Sequence, residues 1–134
     1  MIAYGGDSQI KKRLDYLIDT IPFDNVKKEF VEVVISKGAK TRAIARIYSF
    51  PRVHQIAFNL PPRYTIEIIS EKFFKLSSEN QDKVLIHELL HIPKTFSGAL
   101  VPHKCFGRKV VCQKAVDKLY DKIASAGSRV FTPT

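Results

Sequence analysis

His87-Glu88-Leu89-Leu90-His91 sets two imidazoles four residues apart with a carboxylate between them. On a helix, four residues rise about 6 Å and turn little more than once, so both rings leave the same face and can converge on one divalent ion. Glu88, one residue after the first ring, stands where its carboxylate can take a proton from water without ligating the metal. The chemistry this spacing allows is peptide-bond hydrolysis by a zinc-activated water, with Glu88 as general base. A shuffled chain with these four His and six Glu contains the pattern roughly once in 200. The flanking residues Val84, Leu85, Ile86, Leu89 and Leu90 are apolar. A helix buried on several sides holds two His and a Glu only if something satisfies them, because unpaired they would together cost several kcal/mol.

A catalytic zinc (Zn2+) takes three protein ligands and keeps one position open, so a third ligand must follow. No glutamate lies downstream of Glu88 to complete the site, position 94 is Lys and position 97 is Ser, and the only methionine is Met1. Those facts exclude both a downstream helical Glu and the short H-E-x-x-H-x-x-G-x-x-H arrangement with its Met-turn. His103 remains, twelve residues after His91 and at the end of a loop able to fold back over the helix. Asp117 or Asp121 and Cys105 stay open as replacements, and His54 lies too far upstream for spacing to place it. Tyr120 or Arg108 would be available to stabilise an oxyanion.

The elements that must position these groups can be read in order. Ile10, Leu14, Leu17 and Ile18 recur at helical spacing behind Asp7 or Ser8 as N-cap, which predicts a helix over 9–19, with a further turn over 25–29. β-branched and alternating segments predict strands over 31–36, 43–50, 54–60 and 64–70, the third or fourth of them able to pair with an extended substrate. Ser77 and Ser78 offer an N-cap, with a capping box from Ser78 to Gln81, for a metal helix that Pro93 halts near residue 92. Residues 94–102 read as a loop, 108–123 as a last helix and 125–134 as a flexible tail.

The chain has 134 residues, 45% hydrophobic and 26% charged, which is the composition of one globular domain with a core of its own. No apolar run approaches the roughly 20 residues of a membrane span, and residues 1–7 lack a signal-peptide layout, so the expected location is cytoplasmic with no membrane partner. Lys and Arg exceed Asp and Glu by nine. That excess suits a polyanion or an acidic substrate, so nucleic acid stands as a candidate partner beside a peptide or protein substrate. Cys105 and Cys112, placed on one helix about two turns apart, would lie beyond disulfide reach and stay reduced.

His-Glu-Leu-Leu-His-Ile-Pro from His87 to Pro93, with Pro102-His103 and the Leu76-Ser77 helix start, resembles the metallopeptidases of archaea, phages and archaeal viruses. These are similar in outline to SprT/Spartan-like proteases, and the resemblance covers residues 31–123. It implies His87, His91 and His103 as zinc ligands and Glu88 as the catalytic glutamate. It also implies a zincin-like α+β fold. The expectation is then a small mixed or antiparallel sheet of three to four strands packed on a buried active-site helix, flanked by an N-terminal and a C-terminal helix. A single domain spans residues 1–124. A non-proteolytic zinc-containing adaptor, a nucleic-acid-associated domain or a SprT-like protease recruited to DNA is the alternative.

Overall fold

The computed structural model describes residues 2–21, 23, 25–102, 104, 105, 108, 109 and 113–130, without side chains at 104, 105, 108, 109 and 126–130. In chain order these form β1 (Ala3–Gly5), α1 (Ser8–Thr20), a 3-10 turn (Lys28–Phe30), β2 (Val31–Lys37) and β3 (Ala45–Tyr48). There follow α2 (Arg52–Phe58), β4 (Tyr64–Ile69), α3 (Ser70–Phe73), α4 (Ser78–Leu89), β5 (Lys104–Cys105), β6 (Arg108–Lys109) and α5 (Gln113–Val130). The fold is α+β. A four-stranded mixed sheet, ordered β1-β2-β4-β3, carries β2 and β4 parallel and its two outer strands antiparallel, while β5 and β6 form a separate small hairpin.

Alternation decides the two faces of the sheet. Val31, Val33 and Ile35 of β2 lie in register with Tyr64, Ile66 and Ile68 of β4 and point into one core with Leu14 and Leu17 of α1, Leu85, Ile86 and Leu89 of α4, and Val116 and Ile123 of α5. The intervening residues Glu32, Ser36, Thr65 and Glu67 take the other face. Glu67 is 1% exposed there, and Arg46 Nε at 3.2 Å and Tyr48 Oη at 2.7 Å both donate to it. Burial alone would raise this carboxyl, but donors from Ser36, Tyr48 and Arg46 outweigh it and hold Glu67 below its ordinary range.

Helix α4 is tied to the N-terminal helix by charge as well as packing. Arg13 of α1 forks onto Asp82 of α4, with Nε 2.8 Å from Oδ1, and Asp82 is 4% exposed. Lys11 donates to Asp15 and to the Lys28 carbonyl. Two of the three cations in the Lys11-Lys12-Arg13 cluster therefore serve the fold.

Three sequence expectations need correction. Residues 54–60 do not form a strand: Arg52–Phe58 is helical, bounded by Pro51 as N-cap and by Asn59 in the left-handed region at φ 53. Seven residues of apolar alternation fit a short helix as well as a strand, and Pro51 before the segment with left-handed Asn59 after it settles the matter. The last helix starts at Gln113, not Arg108, which lies in β6, and it runs on through Val130. Cys105 sits in β5, so the spacing argument that put both cysteines on one helix does not hold; Cys112 lies outside the described residues. Among the described residues no helix is long and apolar enough to cross a membrane.

Candidate metal centre

Ser77 caps the start of α4, its hydroxyl accepting from Asn80 N at 3.3 Å. Gln81 does not reach back to form the capping box with Ser78; its Nε2 donates to the carbonyls of Leu76 at 3.1 Å and Phe73 at 3.4 Å and so joins α4 to the end of α3. Toward Pro93 the helix tightens. His91 N donates to Glu88 O and Ile92 N to Leu89 O, both at 3.1 Å, which is the three-residue spacing of a 3-10 turn. The carbonyls at the end of this turn are met from across the fold, where Asn25 Nδ2 donates to Pro93 O at 3.0 Å and Ile92 O at 3.4 Å.

His87 therefore sits in the last regular turn and His91 in the tightened turn after it, and the two rings still meet, edge to face. Their centroids are 5.2 Å apart at an interplanar angle of 70°. His91 is 8% exposed, and its Nδ1 lies 2.6 Å from the Val101 carbonyl oxygen. A carbonyl only accepts, so Nδ1 is the donor, and in the neutral ring the lone pair stays on Nε2. That is the tautomer a ligating histidine needs, held by a backbone partner of the kind that usually orients such rings. Val101 N donates in turn to His91 O at 2.7 Å, so the loop after the helix is clamped to His91 in both directions.

Glu88 shares a cleft with His87. It is 7% exposed, and desolvation pushes its carboxyl up to about 8. With His87 it lines a cleft of about 430 Å³ closed by Arg42, Ile44 and Ala45 on the β3 side, by Val84 of α4 and by Gln113 of α5. No cluster of three or more His, Cys, Asp or Glu forms among the described residues, so Glu88 does not join the two rings as a third ligand. The donor set fits a borderline divalent ion: two imidazoles on one face, one with its tautomer fixed, and a carboxyl beside them not engaged as a ligand.

Residues 3–124 match the family described as "Putative phage metallopeptidase". The chain belongs to this family. No curated protein and no solved structure matches it. A metallopeptidase uses a metal ion to hydrolyse peptide bonds, and in this member of the family the structure sets the His87 ring against that of His91 and places His87 and Glu88 on one cleft wall. His103 lies outside the described residues. Asp117 is engaged elsewhere, accepting from Lys83 at 3.1 Å and Gln113 at 2.9 Å; Asp121 is exposed; and the Cys105 side chain is not described. His54 is on α2, its ring between Phe50 and Phe58 at centroid distances of 6.1 and 6.4 Å. Tyr120 is not part of the cleft wall; the Lys83 ammonium lies 5.2 Å from its ring centroid.

The residue that sequence reading missed is Tyr64. It looked like an ordinary inward strand position, and it is 2% exposed. Its hydroxyl accepts from Gly98 N at 2.9 Å and donates to Ala99 O at 2.7 Å, while Phe96 packs edge-on against its ring at 5.1 Å. The metallopeptidase loop is thus pinned two residues before Val101. A tyrosine where the strand pattern needs only an apolar side chain was the one available signal. Tyr64→Phe leaves a buried donor and acceptor unmet and should lower stability by roughly 2 kcal/mol in urea unfolding. A change under about 0.5 kcal/mol would show that water satisfies the loop instead.

Proposed function

We propose that this metallopeptidase binds zinc through His87, His91 and His103 and cleaves peptide bonds with Glu88 as general base. The observation that carries the reading is the His91 clamp. Val101 fixes the metal-ready tautomer of His91 and holds the loop beside it, and His103 follows two residues later, a reach of at most about 7 Å. Three imidazoles favour zinc over the oxygen-seeking cations.

When bound, the ion acidifies water and polarises the scissile carbonyl. Glu88 accepts the proton that the water gives up and passes it to the departing amine, so the carboxylate ends the cycle as it began. Burial alone favours the protonated carboxyl, and a cation bound beside it would favour the ionised form that accepts the proton. The substrate is expected to pair with β3, which is the outer strand beside α4 and lines the cleft at Ala45. Neither segment first expected to serve can do so, because residues 54–60 hold α2 and β4 is paired on both sides by β2 and β3.

Expression in zinc-replete medium should give close to one zinc per chain and a casein-hydrolysing activity that chelation removes and zinc restores. His103→Ala should weaken zinc retention by roughly 100-fold or more, while His54→Ala should leave it unchanged. Equal effects of the two substitutions would overturn the ligand assignment, and absence of metal would overturn the function.

A further inference from the structure

Helix α2 turns its apolar side outward. Gln55 is its buried residue, whereas Val53, Ile56 and Phe58 are 66%, 69% and 67% exposed and Leu60, just beyond, is 40% exposed. The contact that holds the helix down is polar. Gln55 Nε2 donates to Phe50 O and to Ser97 O, each at 2.9 Å. Gly98 fits this joint by having no side chain: its φ is +94, and a Cβ there would run into Gln55 Nε2 and the Phe50 carbonyl oxygen. Single exposed apolar residues are ordinary on a protein surface, but Val53 and Ile56, three residues apart on α2, share one face and make a small patch, while Phe58 lies on the flank against His54.

The position of that patch connects it to the cleft. β3 lines the cleft at its Ala45 end and finishes at Tyr48, itself 48% exposed, four residues before α2 begins. Through Ser97 the helix also rests on the loop that returns to His91. Charge is distributed unevenly here as well. Between Glu32 and Glu67 the chain has no Asp or Glu, and it carries Arg42 on the cleft wall and Arg52 at the start of α2. The carboxylate that ends this stretch, Glu67, is buried and bonded to Arg46, so it does little to offset the cations outside.

We propose that α2 is a docking ridge for the protein substrate, taking a segment in which apolar side chains alternate with carboxylates. The apolar side chains would rest on Val53 and Ile56, the carboxylates would meet Arg52 and Arg42, and the chain would run on along β3 to the cleft. The inference rests on the peptidase reading and names the class of substrate it would accept. A second copy of this chain fits the ridge poorly, because two such surfaces bring like charges together. Nucleic acid fits less well, since a base can stack on Phe58 but meets only aliphatic carbon at Val53 and Ile56.

The test uses the full chain carrying Glu88→Gln, so that nothing is cut, and two short fluorescein-labelled peptides, one alternating Leu with Glu and the other Leu with Lys. Fluorescence anisotropy at low salt should show the Leu/Glu peptide binding roughly tenfold or more tighter, and the exposed pair V53S/I56S should weaken it by a similar factor at an unchanged melting temperature. With Glu88 intact, the same pair should raise KM for the Leu/Glu peptide far more than it lowers kcat. Equal affinity for the two peptides, indifference to V53S/I56S, or α2-dependent capture by phosphatidylglycerol vesicles in place of the peptide would overturn the ridge. Hydrolysis without dependence on Val53 and Ile56 refutes the ridge and spares the peptidase. Ridge binding by a chain that holds no zinc and cuts nothing does the reverse.

Discussion

Glu88→Gln should leave a folded protein that retains its zinc and hydrolyses casein roughly 1000-fold more slowly, within the span of about 100 to 10,000 that a positioned general base contributes. The amide has the shape of the carboxyl and fits the same site, but it cannot accept the proton that water must lose. Zinc content should stay near that of the parent because the proposed ligands are imidazoles and not Glu88, and His91 keeps its bond to Val101 whatever stands at position 88. Rate and metal content measured together separate three cases. A zinc-containing adaptor, or a module that only binds nucleic acid, loses nothing on this substitution. A chain in which Glu88 ligates the ion loses zinc along with turnover. Only a peptidase using Glu88 as base loses turnover alone.

Local pattern revealed what local physics decides. β-branched Val and Ile at every second position mark β2 and β4, and serines at 77 and 78 with Pro93 downstream bracket the helix that carries His87 and Glu88. Alternating apolar residues over 54–60 read as a strand, whereas the segment is helical, with Gln55 facing the protein and Val53 and Ile56 facing water. No periodicity announces that inversion, since a pattern records which residues share a side and not which side is inside. Strand order was hidden for a related reason. That β3 is outermost and β4 is flanked on both sides follows from a parallel β2·β4 pairing reached by way of β3 and α2, and the short segments themselves do not encode it. The partners that shape the site, Asn25 on Pro93 O, Tyr64 on Gly98 and Ala99, and Arg13 on Asp82, are 34 to 69 residues apart in sequence and become visible only when the chain is folded.

Stripped of metal, the chain should become less stable as pH rises from mildly acidic to about 8, and Glu88 is the reason. Burial lifts its carboxyl from 4.5 to about 8 in the folded protein, whereas in the unfolded chain it titrates at an ordinary value. The folded state therefore holds a proton that the unfolded state has already released. Its contribution is whole below about pH 4.5, declines as pH rises, and is gone once pH passes about 8. The shift corresponds to a loss on the order of 3–5 kcal/mol across that window. Gln at position 88 has no proton to give up, so in chelator the Glu88→Gln protein should overtake its parent by a few kcal/mol at pH 8 while the two stay close at pH 5. Urea unfolding of both proteins at pH 5, 6.5 and 8 isolates this effect, since every other titrating group is common to the pair. Parallel pH profiles would mean that water reaches the carboxyl and that burial does not set its charge. Zinc acts in the opposite direction, because a cation beside the carboxyl favours its charged form. The zinc-loaded parent should therefore lose less stability on going from pH 5 to 8 than the metal-free parent does, and at pH 8 zinc binding should release a proton from Glu88 that the Gln variant cannot supply.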